Sequence, residues 1–228
     1  MEKPYCIESE EILVSLKEGF LKPITDDLKA IKFRKGSRTD NARNFTAWDL
    51  RYENIAVAAE DMGLRVICIP RGALWELVSV FSEDTGYLYF FMNNENPEQQ
   101  VEASSHYLPN TMRIMNSDLN EEKNSTISLF NDDDPTLKNE IMFSEELCKE
   151  MFEEFYDRIK RAFVIRRDAK TDQVSLITMN GYLDFIHEEL IPDRKLVTPL
   201  PSETSVTDSV NNKRIGITLK KRRKEGKN

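Results

Sequence analysis

The chain has 228 residues and a formal net charge of −8, with 39% hydrophobic and 32% charged residues. This composition predicts a globular domain with an appended tail. It excludes a membrane-spanning protein, because no apolar run approaches the roughly 20 residues that a span requires. Residues 1–4 lack the apolar centre of a signal peptide, so we expect a cytoplasmic location.

The first half of the chain predicts two helices separated by a basic loop. Ser9 is placed to cap a helix over residues 10–20, whose apolar side chains recur at helical spacing. Residues 29–43 carry six basic side chains and one aspartate, which is typical of a loop or a strand edge. A second helix is expected over residues 46–62, because Thr46 begins a Thr-Ala-Trp-Asp sequence with the form of a capping box.

After residue 64 the apolar residues alternate with a period of two, which indicates β-strands. Three strands are predicted, over residues 66–70, 75–81 and 87–92. The sequence Glu-Asp-Thr-Gly at residues 83–86 predicts a turn that joins the second and third strands into a hairpin. Both of these strands have apolar residues on both faces, so we expect helices to cover the sheet.

The second half begins with polar segments, over residues 93–109 and 121–135, that predict loops. A helix is expected to begin at Ser144 and to run to residue 161. A second hairpin is predicted over residues 162–167 and 173–179. Asn180 is placed to cap a last helix over residues 180–190, with Leu183, Ile186 and Leu190 facing inward.

These elements predict an α+β fold, with a mixed or antiparallel sheet built from two hairpins and packed by three to four helices. The domain is expected over residues 1–192, followed by a disordered linker and basic tail over residues 193–228. Seven aromatic side chains are expected in the core: Trp48, Trp75, Phe81, Tyr89, Phe91, Phe152 and Phe155. The oligomeric state does not follow from the sequence.

No metal or cofactor site is predicted. Cys6, Cys68 and Cys148 are widely separated and lack the spacing of metal ligands, so we expect reduced thiols, with Cys68 buried and inert in its strand. His106 and His187 have no cysteine neighbour at ligand spacing, and the chain has no Gly-rich phosphate loop.

The charge is distributed between two opposed regions. Residues 76–157 contain nineteen acidic and four basic residues, whereas residues 213–228 contain eight basic residues and one glutamate. Five of those cations are consecutive: Lys220, Lys221, Arg222, Arg223 and Lys224. The tail therefore predicts contacts with nucleic acid phosphates, and in a eukaryote it would serve as a nuclear-import signal; an acidic protein partner or a solubilising role are the alternatives.

The basic loop is a second candidate for nucleic-acid binding. Its central cations are Lys32, Arg34, Lys35 and Arg38, and Phe33 and Phe45 are interleaved with the loop's basic residues. Cations with occasional aromatic side chains suit a phosphate backbone with stacked bases, although a solvated surface loop explains the pattern equally well.

The carboxylates allow a different function, a metal-dependent nuclease. Such a site needs two acids and a lysine on neighbouring strands, and the predicted sheet offers Glu76, Asp84 and Glu95. None of the three has a lysine two residues further on. We therefore favour a non-enzymatic regulator or adaptor. It binds nucleic acid through its basic segments, or it binds a basic protein partner through residues 121–134 and the acidic side chains of the helix after Ser144: Glu145, Glu146, Glu150, Glu153 and Glu154.

A short motif supports a family resemblance. The run Arg71-Gly72-x-x-Trp75-Glu76-Leu77-Val78, followed by Asp84-Thr85-Gly86-Tyr87-Leu88-Tyr89-x-Phe91-Met92, resembles an uncharacterised family of small α+β proteins of phages and mobile elements in low-GC Gram-positive bacteria. The resemblance covers about thirty residues at the first hairpin. It implies a cytoplasmic bacterial or phage setting and a part in phage-host conflict, and it would remove the nuclear role of the tail.

Overall fold

The computed structural model describes residues 8–31, 41–70, 76–93, 107–120 and 135–194. Six strands in these segments form one sheet in sequence order. They are β1 (Arg65–Pro70), β2 (Glu76–Ser82), β3 (Tyr87–Asn93), β4 (Arg161–Arg167), β5 (Val174–Met179) and β6 (Phe185–Leu190). The predicted α+β class with a mixed sheet is confirmed.

The centre of the sheet is a parallel pair of strands. Neighbouring strands are antiparallel except β3 and β4, where Tyr87 pairs with Arg161 and Asn93 pairs with Arg167. A parallel pair needs a crossover connection. Here that connection contains helices α4 (Tyr107–Met115) and α5 (Pro135–Phe152).

Helices α1 (Glu10–Leu21), α2 (Thr25–Ala30) and α3 (Asn41–Asp61) precede the sheet. Phe20 of α1 joins α3 to the sheet, because its ring lies 6.3 Å from that of Trp48 and 5.6 Å from that of Phe91. The side chain of Ser9 accepts a hydrogen bond from the Ile12 N–H at 3.3 Å, so the predicted cap of α1 is confirmed.

The other face of the sheet packs against the crossover. Phe90, whose side chain points away from that of Phe91, lies 5.4 Å from Tyr107 at the start of α4. Phe81 contacts Phe155 at 5.6 Å, in the 3₁₀ turn Glu153–Arg158 that follows α5. The sheet is therefore covered on both faces, as its apolar strands predict.

The aromatic core agrees with the prediction for most positions. Phe81, Tyr89, Phe91 and Phe152 are buried, each at most 5% exposed. Trp48 and Phe155 are half-buried and pack against this core. The remaining predicted core residue, Trp75, lies outside the described residues.

The last predicted helix, over residues 180–190, is wrong. The side chain of Asn180 accepts from the N–H groups of Tyr182 and Asp184, both at 2.9 Å, and so forms a turn that leads into β6. Leu183 packs against the core, but Ile186 and Leu190 are 36% and 59% exposed. The prediction failed because the apolar residues of so short a segment fit the period of a helix and the period of a strand equally well. Pairing with the buried strand β5 makes the segment a strand.

Three helix boundaries also differ from the predictions. Helix α3 begins at Asn41, and Thr46 lies inside it, donating to the Ala42 carbonyl at 2.8 Å rather than capping the helix. Helix α5 begins at Pro135 and ends at Phe152, which places Ser144 in its buried interior. Helix α4 starts at Tyr107, within a segment predicted as a loop.

A further prediction about side-chain exposure is also wrong. Cys68 is exposed rather than buried, because β1 is an edge strand and the buried positions of β1 are Ile67 and Ile69. Within the described residues, no helix is both long and apolar enough to cross a membrane.

Candidate functional site

Most of the predicted nucleic-acid contacts cannot be placed. The central cations of the basic loop, Lys32, Arg34, Lys35 and Arg38, and the tail cations, Lys220, Lys221, Arg222, Arg223 and Lys224, lie outside the described residues. At the two ends of the loop, Lys29 lies in the last turn of α2 and pairs with Asp26 at 3.0 Å, and Arg43 is exposed in the first turns of α3. Both predicted interfaces therefore stay predictions.

The predicted nuclease carboxylates are not brought together where they are described. Glu76 begins β2, and Asp84 lies in the turn that follows the other end of this seven-residue strand. At about 3.3 Å per residue, the two positions are roughly 20 Å or more apart. Glu95 lies outside the described residues. The described segments contain no group of three or more His, Cys, Asp or Glu side chains that could hold a metal ion.

The acidic helix of the crossover, α5, is described and carries an unusual surface, whereas the predicted acidic segment 121–134 lies outside the described residues. Ile141, Met142 and Phe143 are consecutive and 40%, 59% and 58% exposed. At 100° per residue, Met142 and Phe143 share one side of α5 with Glu146 and Glu150, which are also exposed. We call these four residues the α5 outer face. It combines two large apolar side chains with two carboxylates.

The opposite side of α5 is fixed by polar contacts to α4. Ser144 is fully buried, and its hydroxyl donates to Asn110 Oδ1 at 2.7 Å. Arg113 Nη1 donates to the same hydroxyl at 3.2 Å. Cys148, one turn further along α5, is also fully buried on this side, and its burial raises the pKa of the thiol to about 12. These contacts set the rotation of α5 about its axis, so the α5 outer face is directed away from the sheet.

The charge of this helix is only partly neutralised. Glu145 pairs with Lys149 at 2.6 Å, and this hydrogen bond raises the pKa of Lys149. Within the described segments, neither Glu146 nor Glu150 takes part in an ion pair. The carboxylates beside Met142 and Phe143 are thus exposed and without an ion-pair partner among the described residues.

Comparison with known proteins identifies the family. The model of a family described as a family of unknown function, DUF5986, matches residues 8–228. The chain belongs to this family. No curated protein and no solved structure matches it. The predicted membership of an uncharacterised family is thus confirmed at this coarser level.

Sequence reasoning identifies the acids of α5 but misses its apolar side chains. The helix is expected to begin at Ser144, so the preceding Ile-Met-Phe triplet is not assigned to a helix face. The signal is present, because Met142 precedes Glu146 by four residues and Phe143 precedes Glu150 by seven. Extending the helical period back toward Pro135 reveals the shared face.

Proposed function

We propose that this protein is a non-enzymatic adaptor or regulator that binds a basic protein partner through the α5 outer face. The observation that supports this proposal is the exposure of Met142 and Phe143 beside Glu146 and Glu150, whose carboxylates form no ion pair within the described segments. A buried Ser144 on the reverse side of the helix keeps these side chains outward.

Each component of the surface has a separate role in binding. Burying an exposed Met or Phe side chain contributes about 1.5–3 kcal/mol, so the pair supplies apolar anchors for a partner pocket. Carboxylates at the rim contribute mainly to association rate and to the choice of partner. A partner with Lys or Arg side chains around an apolar groove would match both.

Substitutions on the exposed surface test the proposal without disturbing the core. The full chain carrying Met142→Ser and Phe143→Ser is compared with wild type and with Phe45→Ser, a control on α3 where the aromatic ring is 47% exposed. Proteins captured from nuclease-treated lysate are identified, and affinities of the purified partner are measured by calorimetry. We expect the double variant to lose at least about tenfold in affinity and the control to match wild type.

The carboxylates are tested separately. Glu146→Lys and Glu150→Lys should slow association and reverse its salt dependence, whereas Glu60→Lys, an exposed glutamate on α3, should leave both unchanged. A partner that binds the α5 variants and the controls equally would refute the proposed surface.

Nucleic-acid binding through the basic segments is a second candidate, supported by the eight cations of residues 213–228. Deleting these residues should weaken DNA or RNA binding and flatten its salt dependence. On duplex DNA, the slope of the logarithm of the binding constant against the logarithm of the salt concentration should change by roughly 0.9 for each phosphate that the shortened chain no longer neutralises. Equal recovery of nucleic acid by full-length and shortened chains would refute this candidate.

The setting and the enzymatic alternative have their own tests. A part in phage-host conflict, as the family resemblance implies, predicts that the chain changes phage plaque formation when expressed in a bacterial host, and that Phe143→Ser removes the effect.

The nuclease alternative is tested by incubating the protein with DNA or RNA and a divalent metal ion. Metal-dependent cleavage that is abolished by Glu76→Ala would replace the adaptor proposal with the nuclease.

A further inference from the structure

The carboxyl ends of the parallel strands gather polar side chains that no role described above uses. Strand β3 ends at Asn93 and strand β4 at Arg167, and these two residues are register partners. In sheets with parallel strands, ligands bind in the crevice outside the carboxyl ends of the strands. Strands β3 and β4 form the parallel pair within the described residues, so this end of the sheet is where such a crevice is expected.

Helix α3 adds a second cation on the side of the sheet that Asn93 and Arg167 share. The guanidinium of Arg51 lies 5.6 Å from the ring centre of Trp48, and Trp48 is joined to Phe91 through Phe20. Asn93 is two residues beyond Phe91, and alternate residues of a strand share a face. Arg51, Asn93 and Arg167 are therefore on the side of the sheet that α1 and α3 cover.

Arg51 has no anionic partner in the described segments. Its Nη1 donates to the Ala47 carbonyl at 3.5 Å, and its side chain is half-buried. Burial, and then the charge of Arg167, lowers the pKa of Arg51. A partly desolvated cation that faces a second cation is destabilised until an anion arrives.

The other two groups show a similar imbalance. Arg167 donates through Nε to Asp172 at 3.0 Å. Within the described segments, Asp172 is the one carboxylate that forms an ion pair with either Arg51 or Arg167. The side-chain Oδ1 of Asn93 is buried and has no hydrogen-bond partner among the residues that the structure describes. The group therefore has an excess of positive charge together with an unsatisfied polar atom.

We infer that Arg51, Arg167 and Asn93 form a binding site for a phosphate group. Planar guanidinium groups bind phosphate oxygens through paired N–H donors, and a ligand hydroxyl next to the phosphate would satisfy Asn93 Oδ1. A phosphate monoester of a nucleotide and the phosphodiester of a single strand share this chemistry. The site is on the opposite side of the sheet from α4, and it uses no residue of the α5 outer face.

Binding and stability together test this site in the full chain. Adenosine monophosphate and a short single-stranded oligonucleotide without terminal phosphates are titrated separately by calorimetry. The variants are Arg51→Gln, Arg167→Gln and the control Arg65→Gln, which removes an exposed arginine from strand β1, outside the basic loop of residues 29–43. We expect one of the two probes to bind wild type and the control, with an affinity that falls about tenfold or more in both test variants.

The stability of the unliganded protein separates binding from structure. Removing Arg51 relieves the repulsion between the two guanidinium groups, so without ligand the melting temperature of Arg51→Gln should equal or exceed that of wild type. Inorganic phosphate should raise the melting temperature of wild type above its value in chloride of equal ionic strength, and it should not do so for Arg51→Gln. Tight binding of the mononucleotide identifies a monoester ligand, and tight binding of the oligonucleotide alone identifies a diester. Failure of wild type to bind either probe, or equal binding by Arg51→Gln, would overturn the inference.

Discussion

Asn116 and the backbone of Ala162 exchange two hydrogen bonds, since Asn116 Nδ2 donates to the Ala162 carbonyl and the Ala162 N–H donates to Asn116 Oδ1, both at 2.9 Å. The same Nδ2 donates to the Met179 carbonyl at 2.7 Å. Backbone pairing between β4 and β5 reaches Val164 and Ile177 and then stops. Two positions beyond this last pair, the Asn116 amide lies between Ala162 and Met179, and it ties the segment after α4 to both strands.

Replacing Asn116 by Ala should destabilise the fold strongly. The side chain is fully buried, so its loss leaves backbone groups of Ala162 and Met179 without a partner and without access to water. Each unsatisfied group costs about 1–3 kcal/mol, and we expect the free energy of unfolding to fall by about 2 kcal/mol or more. Urea denaturation measures it. The side chain of Asn120 is half-buried and accepts a hydrogen bond from the Gly181 N–H at 2.9 Å, so Asn120→Ala should lower the free energy of unfolding by less than Asn116→Ala does.

The two aromatic residues at the end of α5 should differ in their contribution to stability. Phe152 is 1% exposed, whereas Phe155 is half-buried against Phe81. Phe152→Ala should therefore cost about 3–5 kcal/mol, the range for a fully buried aromatic ring, and Phe155→Ala should cost less. Chemical denaturation of both variants checks the order. A larger loss from Phe155→Ala would contradict the placement of these side chains.

The first hairpin could be predicted because its signals are local. Alternating apolar residues and the turn at residues 83–86 are contained in the sequence of the hairpin itself, and Ser9 signals its helix in the same way. Strand β6 could not be predicted in this way, because its short sequence also fits a helix and only its pairing with β5 makes it a strand.

The candidate sites show the same division. The acids of α5 are visible in the sequence, but the outward direction of Met142 depends on the contacts of Ser144 with α4. The phosphate site joins Arg51, Asn93 and Arg167 from three separate elements. No sequence spacing links such residues, so only the packing of α3 on the sheet places them together.

Gly19 sets the approach of α1 to α3. A Cβ atom at this position would lie 2.8 Å from both Ala58 Cβ and the Asn54 carbonyl oxygen. Gly19→Ala therefore forces the helices apart, and overpacking of this kind typically costs about 1–3 kcal/mol despite the better helix propensity of alanine. Thermal unfolding checks the loss. Gly19→Ala combined with Ala58→Gly should recover part of it, and a stabilised single variant would contradict the contact.

Glu83 should titrate below the usual range for a glutamate. Arg158 Nη2 donates to its carboxylate at 2.6 Å, and this hydrogen bond, with smaller contributions from the charges of Arg158 and Arg65, lowers the pKa of Glu83. The folded-state pKa is depressed, so the pair stabilises the fold above the ordinary glutamate pKa, and the contribution is lost as pH falls through the folded value. Arg158→Gln should raise the pKa in a carboxyl NMR titration, whereas Arg43→Gln should not.

Cys68 should react faster with iodoacetamide when Glu76 loses its charge. Burial of part of the thiol, and then the carboxylate of Glu76, raises the pKa of Cys68. The two residues are diagonal neighbours across β1 and β2, where Cys68 pairs with Val78 and Glu76 pairs with Pro70. Because the thiolate is the reactive form, Glu76→Gln lowers the pKa and increases the alkylation rate near pH ~8.

Mass spectrometry of the modified peptides separates the cysteines in this experiment. Cys148, buried with a pKa of about 12, should stay unmodified in the folded protein and serves as an internal control. Glu83→Gln removes a carboxylate from the far end of the same hairpin and should leave the rate at Cys68 unchanged. Equal rates in wild type and Glu76→Gln would show that the carboxylate does not act on this thiol.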